Sequence, residues 1–379
     1  MKLILSIAFA LITLLSIGQN TNNIWYFGDG NFLDFNANMA TPVLSANGVE
    51  VATPTTTYCQ EGSSTICDAV GNLLFYNNSE NVWDKFYNPM PNGTNLTGSA
   101  GTSAQTMIVP KPGSPSIYYI FHMDYAAGTP NLGLFYSEVD MTLNGGLGDV
   151  TANKNIALGS GPCSEQLKAV AHCNGQDIWL ISHSLLGNTF NCYLITSAGI
   201  TAAPVASSIG NPHPDAFSGM SYMTCSKDGG KVALAGNMGS QSSVEVFSFD
   251  NLNGTFCNPQ YLVTPDFTGI YGVEFSADGT KLYATGFQLH QYDFGTTNWY
   301  TFPPMEIGAA LMRGPNDKIY LVAGCDWYDV QNATMEYARD IHVIQNPNNI
   351  GAAANLQLNA YLTPRECARF QGYDDDFIL

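Results

Sequence analysis

The chain has 379 residues, of which 12% are charged, and its 13 Lys and Arg against 31 Asp and Glu give a net charge of −18. This charge repels phosphate backbones and anionic lipid head groups, so nucleic acid is a poor candidate partner. An ordinary soluble protein has about 25% charged residues, so Asn, Ser, Thr and Gly must cover much of the surface here. Such a surface suits an extracellular setting.

The N-terminus predicts export. Lys2 precedes an apolar run over residues 3–17, which is too short to span a bilayer comfortably, and small residues precede Gln19 where a signal peptidase requires them. We therefore predict a signal peptide over 1–18 and one mature domain over 19–379. The expected location is extracellular or at the cell surface, with the periplasm as the alternative. No later run is long and apolar enough for a transmembrane anchor.

Nine cysteines in an exported chain favour some disulfides, and the odd number leaves at least one thiol unpaired. Cys59 with Cys67 and Cys163 with Cys173 are the two nearest plausible pairs. No CxxC motif occurs, so a zinc site or a thioredoxin-type site is not expected. The sequence predicts neither a cofactor nor a metal.

A short β-branched and aromatic segment recurs along the chain, each time directly after a turn of Gly, Asn and Asp residues that tolerate positive φ. Another apolar strand precedes each turn and a third strand follows. The recurring segments are GNLLFYNN from Gly71, SIYYIFHM from Ser116, DIWLISHS from Asp177, KVALAGN from Lys231, KLYATGF from Lys281 and KIYLVAG from Lys318.

Short antiparallel strands recurring every ~40 to 60 residues favour propeller blades over a sandwich. At roughly 50 residues per blade, the mature chain holds about seven. We predict an all-β, seven-bladed β-propeller of four-stranded antiparallel blades, closed by N- and C-terminal strands. The seventh blade is expected to combine the N-terminal NIWYFGDGNFLDFN with a strand near Leu356 to Leu362, which removes exposed edges.

Three segments carry a resemblance to a known family: NIWYFG with LDFN at 23–36, IVPKPG at 108–113 and DMTLNGGLGDV at 140–150. They resemble the N-terminal β-propeller (WD40-like or YVTN-like) of large Bacteroidota surface proteins. In that family PKD or immunoglobulin-like repeats and a sorting domain for type IX secretion or gliding motility follow the propeller. The sequence here ends at Leu379, shortly after the last predicted blade. The resemblance implies adhesion or scaffold duty at the cell envelope.

The loops that enter the inner strands of a propeller line one rim of the central channel, where ligands commonly bind. We expect the polar groups at these entries to converge on the axis and bind a sugar or a peptide. The alternative is that they satisfy backbone groups and buried waters around the channel. The six candidate rim residues are Glu61, Gln105, Glu165, His213, Tyr271 and Glu306.

The first functional hypothesis is a non-enzymatic binding, adhesion or scaffold module for a glycan, a peptide or an envelope protein. The alternative is a polysaccharide hydrolase or lyase, in which Glu61 and Glu165 supply the two carboxyl groups that glycoside hydrolysis needs. A structural spacer is a third hypothesis. His122 with Asp124 gives too few ligands for a metal site, and the acidic run 374–376 is more typical of a solvated terminus.

Overall fold

The computed structural model describes residues 20–27, 30–45, 62–99, 106–126, 128, 131–159, 161–213, 216–236, 243–265, 270–286, 288–303, 310–322 and 340–362. These residues form seven small antiparallel sheets, which we number as blades 1 to 7 in chain order. The predicted signal peptide lies outside them.

Blades 1 to 3 contain, in turn, β1 (Ile24–Tyr26), β2 (Phe32–Asp34) and β3 (Val43–Ser45); β4 (Ser64–Cys67), β5 (Leu73–Asn77) and β6 (Val82–Asp84); β7 (Met107–Pro110), β8 (Ile117–Met123), β9 (Leu134–Asp140), β10 (Asp149–Val150) and β11 (Ile156–Leu158). Blades 4 and 5 contain β12 (Cys163–Ala171), β13 (Ile178–Ser184), β14 (Gly187–Thr196), β15 (Gly199–Ile200) and β16 (Val205–His213); β17 (Met223–Cys225), β18 (Lys231–Gly236), β19 (Ser243–Asp250) and β20 (Thr255–Val263). Blades 6 and 7 contain β21 (Gly272–Phe275), β22 (Lys281–Thr285), β23 (Leu289–Asp293) and β24 (Asn298–Thr301); β25 (Ala310–Arg313), β26 (Ile319–Val322), β27 (Asp340–Ile344) and β28 (Leu356–Leu362). Short 3₁₀ helices span Asn144–Gly146, Phe217–Gly219 and Gly351–Ala354.

The sheets are arranged as a ring. From β4 onward, the first strand of each blade contacts the first strand of the next, so β4, β7, β12, β17, β21 and β25 surround the axis. Each recurring segment of the sequence forms the second strand of a blade, as predicted. The seven-bladed β-propeller is therefore confirmed.

The turns between first and second strands follow one plan in blades 5 and 6. Ser276 Oγ donates to Asp278 Oδ1 over 2.7 Å and accepts the Lys281 N–H over 2.9 Å. Gly279 has φ +65°, and Gly229 has φ +66° at the same place in blade 5. The sequence S-x-D-G thus builds the same turn twice, because Ser and Asp cap it and Gly supplies the left-handed conformation.

Blades 3 and 4 each contain five strands because their fourth strand is interrupted. In blade 3 both β10 and β11 pair with β9, and in blade 4 both β15 and β16 pair with β14. The longer piece, β16, reaches out of its own blade and contacts β20 of blade 5.

The seam where the ring closes differs from the prediction. β28 pairs with β27 as the fourth strand of blade 7, whereas β1, β2 and β3 form a sheet of their own. The Tyr26 N–H donates to Thr65 Oγ1 and the Cys67 N–H donates to Thr21 O, each over 2.8 Å, so β1 runs opposite to β4. The second strands of other blades contact the next first strand in the same way, as β18 does with β21. β1 therefore corresponds to a second strand.

Side-chain packing joins the two blades at this seam. Trp25 and Phe35 of blade 1 pack against Tyr320 and Val343 of blade 7 in one buried apolar cluster. The Trp25 and Tyr320 rings meet edge to face with centroids 5.3 Å apart. N-terminal and C-terminal strands do meet here, but in neighbouring sheets, because apolar rings fill the wedge between them.

Close packing between blades also depends on glycine. Trp179 of blade 4 lies over the turn after β19, and its Nε1 donates to Asn251 O over 2.9 Å. A Cβ added to Gly254, which has φ +69°, would lie 2.7 Å from the Trp179 ring. Within the described ranges, no helix is long and apolar enough to cross a membrane.

Candidate functional site

Glu165 is a structural contact of the ring. It lies on a bulge of β12 between Cys163 and Leu167, is fully buried, and accepts the Ala126 N–H at Oε1 over 2.9 Å. A carboxylate that holds the neighbouring loop of blade 3 in this way is shielded from a ligand in the channel. Glu165 thus satisfies a backbone group, which is the alternative that the sequence left open for the candidate rim residues.

The next residue, Gln166, ties blade 4 to blade 5. Its Nε2 lies 2.7 Å from Ser221 Oγ and 3.1 Å from Ala235 O, and the side chain is fully buried. Ser164 Oγ donates to Gln166 Oε1 over 2.9 Å, which fixes the amide. The amide thus satisfies polar groups between two blades.

His213 is not at the entry to an inner strand. It ends β16 on the outer side of blade 4, opposite Gly187, and its ring packs against His183 with centroids 4.5 Å apart. Burial, together with the neighbouring His213, lowers the pKa of His183 to about 3, so His183 is neutral. The two rings are a packed pair beside Phe190.

Tyr271 lies where the sequence placed it, at the entry to β21. Its ring meets Tyr222, at the entry to β17, edge to face with centroids 5.2 Å apart. The Tyr222 N–H donates to Tyr271 O over 2.9 Å. The structure thus brings two neighbouring entries together through aromatic contact. Glu61, Gln105 and Glu306 lie outside the described residues.

Polar groups do line the inner strands, and three successive blades link them. Thr224 Oγ1 donates to Glu274 Oε1 over 3.0 Å, and the Arg313 N–H donates to Glu274 Oε2 over 3.2 Å. All three side chains are buried. The hub therefore contains one connected polar network across blades 5 to 7, in which the Glu274 carboxylate accepts from the Thr224 hydroxyl and from the Arg313 backbone N–H.

His122 is a neutral, fully hydrogen-bonded histidine. Its Nδ1 lies 3.0 Å from Thr97 O, which can only accept, so the proton is on Nδ1. Its Nε2 then accepts from Ser137 Oγ over 3.0 Å. Burial lowers the pKa of His122 to about 4. Among the described residues no three His, Cys, Asp or Glu side chains come together as a metal site, and the run 374–376 lies outside them.

The predicted disulfide between Cys163 and Cys173 is wrong. Cys163 begins the nine-residue strand β12 and Cys173 lies beyond its end, so an extended strand separates two free thiols. Burial raises the pKa of the Cys163 thiol to about 12, and its Sγ lies 3.4 Å from His183 O. The other predicted pair includes Cys59, which lies outside the described residues.

An open groove of about 500 Å³ lies at the seam between blades 7 and 1, which we call the seam groove. Four amide side chains and two tyrosines line most of it, together with one threonine, one lysine and three aliphatic residues. The lining residues are Ala40, Thr41, Lys318, Tyr320, Val343, Gln345, Asn346, Asn355, Gln357, Ala360 and Tyr361.

Two side chains of blade 7 hold the blade 1 wall of the seam groove. Lys318 Nζ donates to Ala40 O over 2.7 Å, and Asn316 Nδ2 donates to Met39 O over 2.8 Å. The turn itself is capped by Asn38, whose Oδ1 accepts the N–H groups of Ala40 and Thr41. The wall is thus fixed before any ligand arrives.

Sequence reasoning missed the seam groove. Lys318 offered the one usable signal, because it matches Lys231 and Lys281 at the start of the repeated second strand. Lys231 Nζ also donates to a backbone carbonyl of the next blade, that of Gly279, over 3.1 Å. Gln345, Gln357 and Tyr361 stand in no motif.

The ring and its seam define the chain as a seven-bladed β-propeller. No protein family model and no curated protein matches it. Two crystal structures of proteins named putative 6-phosphogluconolactonase have similar folds. For the one from Bacteroides fragilis NCTC 9343 the TM-score is 0.52 at 14% identity, covering 93% of this chain and 96% of that chain. For the one from Bacteroides uniformis ATCC 8492 it is 0.53 at 13% identity, covering 92% and 99%. At such identities the likeness shows the fold alone.

Proposed function

We propose that the protein is an exported β-propeller that binds a glycan or an envelope protein at the cell surface without chemically altering it. The observation that carries this proposal is a difference in exposure between two sets of polar side chains. Among the described residues, the buried side chains of Gln166 and Glu274 bond to neighbouring blades, whereas Asn346, Asn355 and Gln357 of the seam groove are exposed. A preformed concave surface with polar groups is the usual form of a binding site.

The position of Glu165 favours binding over hydrolysis. Glycoside hydrolysis needs two carboxyl groups that reach the scissile bond from either side. Glu165 has no exposed surface and its Oε1 accepts the Ala126 N–H. This role is that of a structural carboxylate.

Export is supported by the sequence. Lys2 and the apolar run 3–17 have the pattern of a signal peptide, and the low share of charged residues, 12%, suits an extracellular surface. The resemblance of NGGLGDV and its companion segments to Bacteroidota surface propellers supports a place at the cell envelope. Under this proposal the mature protein starts at Gln19.

The test uses the mature chain from Gln19 to Leu379, produced without tags that bind sugars. It is mixed with a panel of polysaccharides and, separately, with envelope proteins, and both retention and the release of reducing ends are measured. We expect retention without new reducing ends. Release of reducing ends that is lost in Glu61→Gln or Glu165→Gln would establish the hydrolase instead, and no retention by either panel would leave a spacer.

A further inference from the structure

We propose that the seam groove binds a neutral, hydroxyl-rich ligand, namely an uncharged oligosaccharide. This inference depends on the proposed binding function and assigns it a ligand class and a set of residues. The residues that we expect to contact the sugar are Thr41, Gln345, Asn346, Asn355, Gln357 and Tyr361.

The hydrogen-bonding groups of the lining match sugar hydroxyls. Two glutamines and two asparagines supply amides, and each amide both donates and accepts. A sugar hydroxyl also does both, so each hydroxyl can form a pair of bonds with one amide. Thr41 adds a hydroxyl of the same kind on the blade 1 wall.

The charge of the lining argues against ionic ligands. Among the described residues that line the groove there is no carboxylate, so these residues give a cationic ligand no partner. The ammonium of Lys318 already donates to Ala40 O over 2.7 Å, and burial lowers its pKa. The whole chain carries −18, which repels polyanions. A neutral ligand avoids both penalties.

The ring of Tyr361 provides the aromatic part of the surface. Tyr320 and Val343 are buried beneath the groove, and Tyr361 is half-buried at its side. The Tyr320 OH accepts from Asn316 Nδ2 over 2.8 Å, so that ring is held in place. A tyrosine offers an apolar face with a polar tip. Sugar rings have apolar C–H faces between polar edges and therefore match such a surface.

The amides are positioned in advance, which lowers the entropic cost of binding. Gln345 Nε2 donates to Gln357 Oε1 over 2.8 Å, linking the third and fourth strands of blade 7. The backbone of Gln345 donates to Asn355 O over 3.1 Å, and that of Asn346 to Ala354 O over 2.9 Å. The groove volume of about 500 Å³ lies within the ~300 to 1,000 Å³ of small-ligand sites.

The test is calorimetric titration of the mature chain with four neutral hexasaccharides: laminarihexaose, xylohexaose, mannohexaose and maltohexaose. The key variant is Gln357→Ala, at an exposed position where folding should not suffer. Its matched control is Gln260→Ala, an exposed glutamine on β20, the fourth strand of blade 5. Tyr361→Leu keeps an apolar side chain and removes the ring, and thermal unfolding verifies that each variant folds.

We expect at least one hexasaccharide to bind, with affinity reduced at least fivefold in Gln357→Ala and Tyr361→Leu and unchanged in Gln260→Ala. Binding of polygalacturonate, an anionic probe, in preference to all four sugars would overturn the ligand class. Sugar binding that both groove variants retain would overturn the site but leave the proposed function. Binding of envelope proteins alone would overturn the inference, and binding of nothing would overturn both.

Discussion

The Nζ of Lys318 lies 2.7 Å from the carbonyl oxygen of Ala40, although 278 positions separate the two residues in the chain. Lys231 Nζ also donates to a backbone carbonyl of the following blade, that of Gly279. A lysine at the start of a second strand therefore joins its blade to the next one at two places in the ring. At the seam it does so between the last blade and the first.

We expect Lys318→Met to lower the free energy of unfolding by about 1 kcal/mol, the net worth of one such hydrogen bond. Asn316 still holds Met39, so the wall should loosen without detaching. Urea unfolding followed by tryptophan fluorescence measures the change. Lys85→Met, at an exposed position in blade 2, is the control, and an equal loss there would contradict a special role for the seam lysine.

Gln166→Leu should cost about 1 to 3 kcal/mol, because it removes the amide donor of the buried Ser221 Oγ, while Ala235 O keeps the hydroxyl of Ser221 as a donor. Glu165→Gln on the same bulge keeps an oxygen for the Ala126 N–H and should cost less. Denaturant midpoints of the two variants test this order. The reverse order would show that Glu165 contributes more to the free energy of unfolding than Gln166 does.

The contribution of Glu245 to the stability of the protein should fall between pH 5 and pH 8. Burial raises the pKa of this side chain to about 7, above its ordinary value of 4.5, so the folded state prefers the neutral acid. Its stabilising contribution is complete below pH 4.5 and is lost as the pH rises through 7.

Glu245→Gln replaces the ionisable carboxyl group with an amide that does not titrate, while keeping an oxygen for the Asn211 N–H. From pH 5 to pH 8 the free energy of unfolding of the variant should gain relative to that of the wild type, by on the order of 3 kcal/mol at most. Free energies of unfolding of both proteins at pH 5 and at pH 8 measure this difference. Identical pH slopes in the two proteins would contradict the assignment.

Thiol labelling should distinguish Cys163, the first residue of β12, from Cys173, which lies beyond the end of that strand. Cys173 is exposed, whereas Cys163 is buried with its pKa raised to about 12. Of these two cysteines, a thiol reagent should therefore modify only Cys173 in the native protein. Cys173→Ser should therefore remove one rapidly labelled equivalent, whereas Cys163→Ser should remove none. Equal losses would show that Cys163 is accessible.

The blades were predictable because their signals are local. The segment KLYATGF from Lys281 has a buried, β-rich pattern and follows a turn whose Ser276, Asp278 and Gly279 dictate its geometry. Such a signal survives without any knowledge of distant contacts. It therefore located the second strand of each blade from blade 2 to blade 7.

The site was less predictable because its determinants are not local. His213 precedes β17 in sequence, which suggested a rim position. It instead ends β16, the second of the two segments that form the fourth strand of blade 4. Gln345 directly follows β27, Gln357 lies on β28, and Thr41 comes from the other end of the chain. Only the closing of the ring brings them together.

The four amides of the seam groove carry no formal charge. Dissolved ions screen the attraction between separated charges, but they scarcely weaken short hydrogen bonds between neutral groups. Attachment through this lining would therefore hold nearly as well in seawater as in a freshwater stream, and rinsing with brine would not release it.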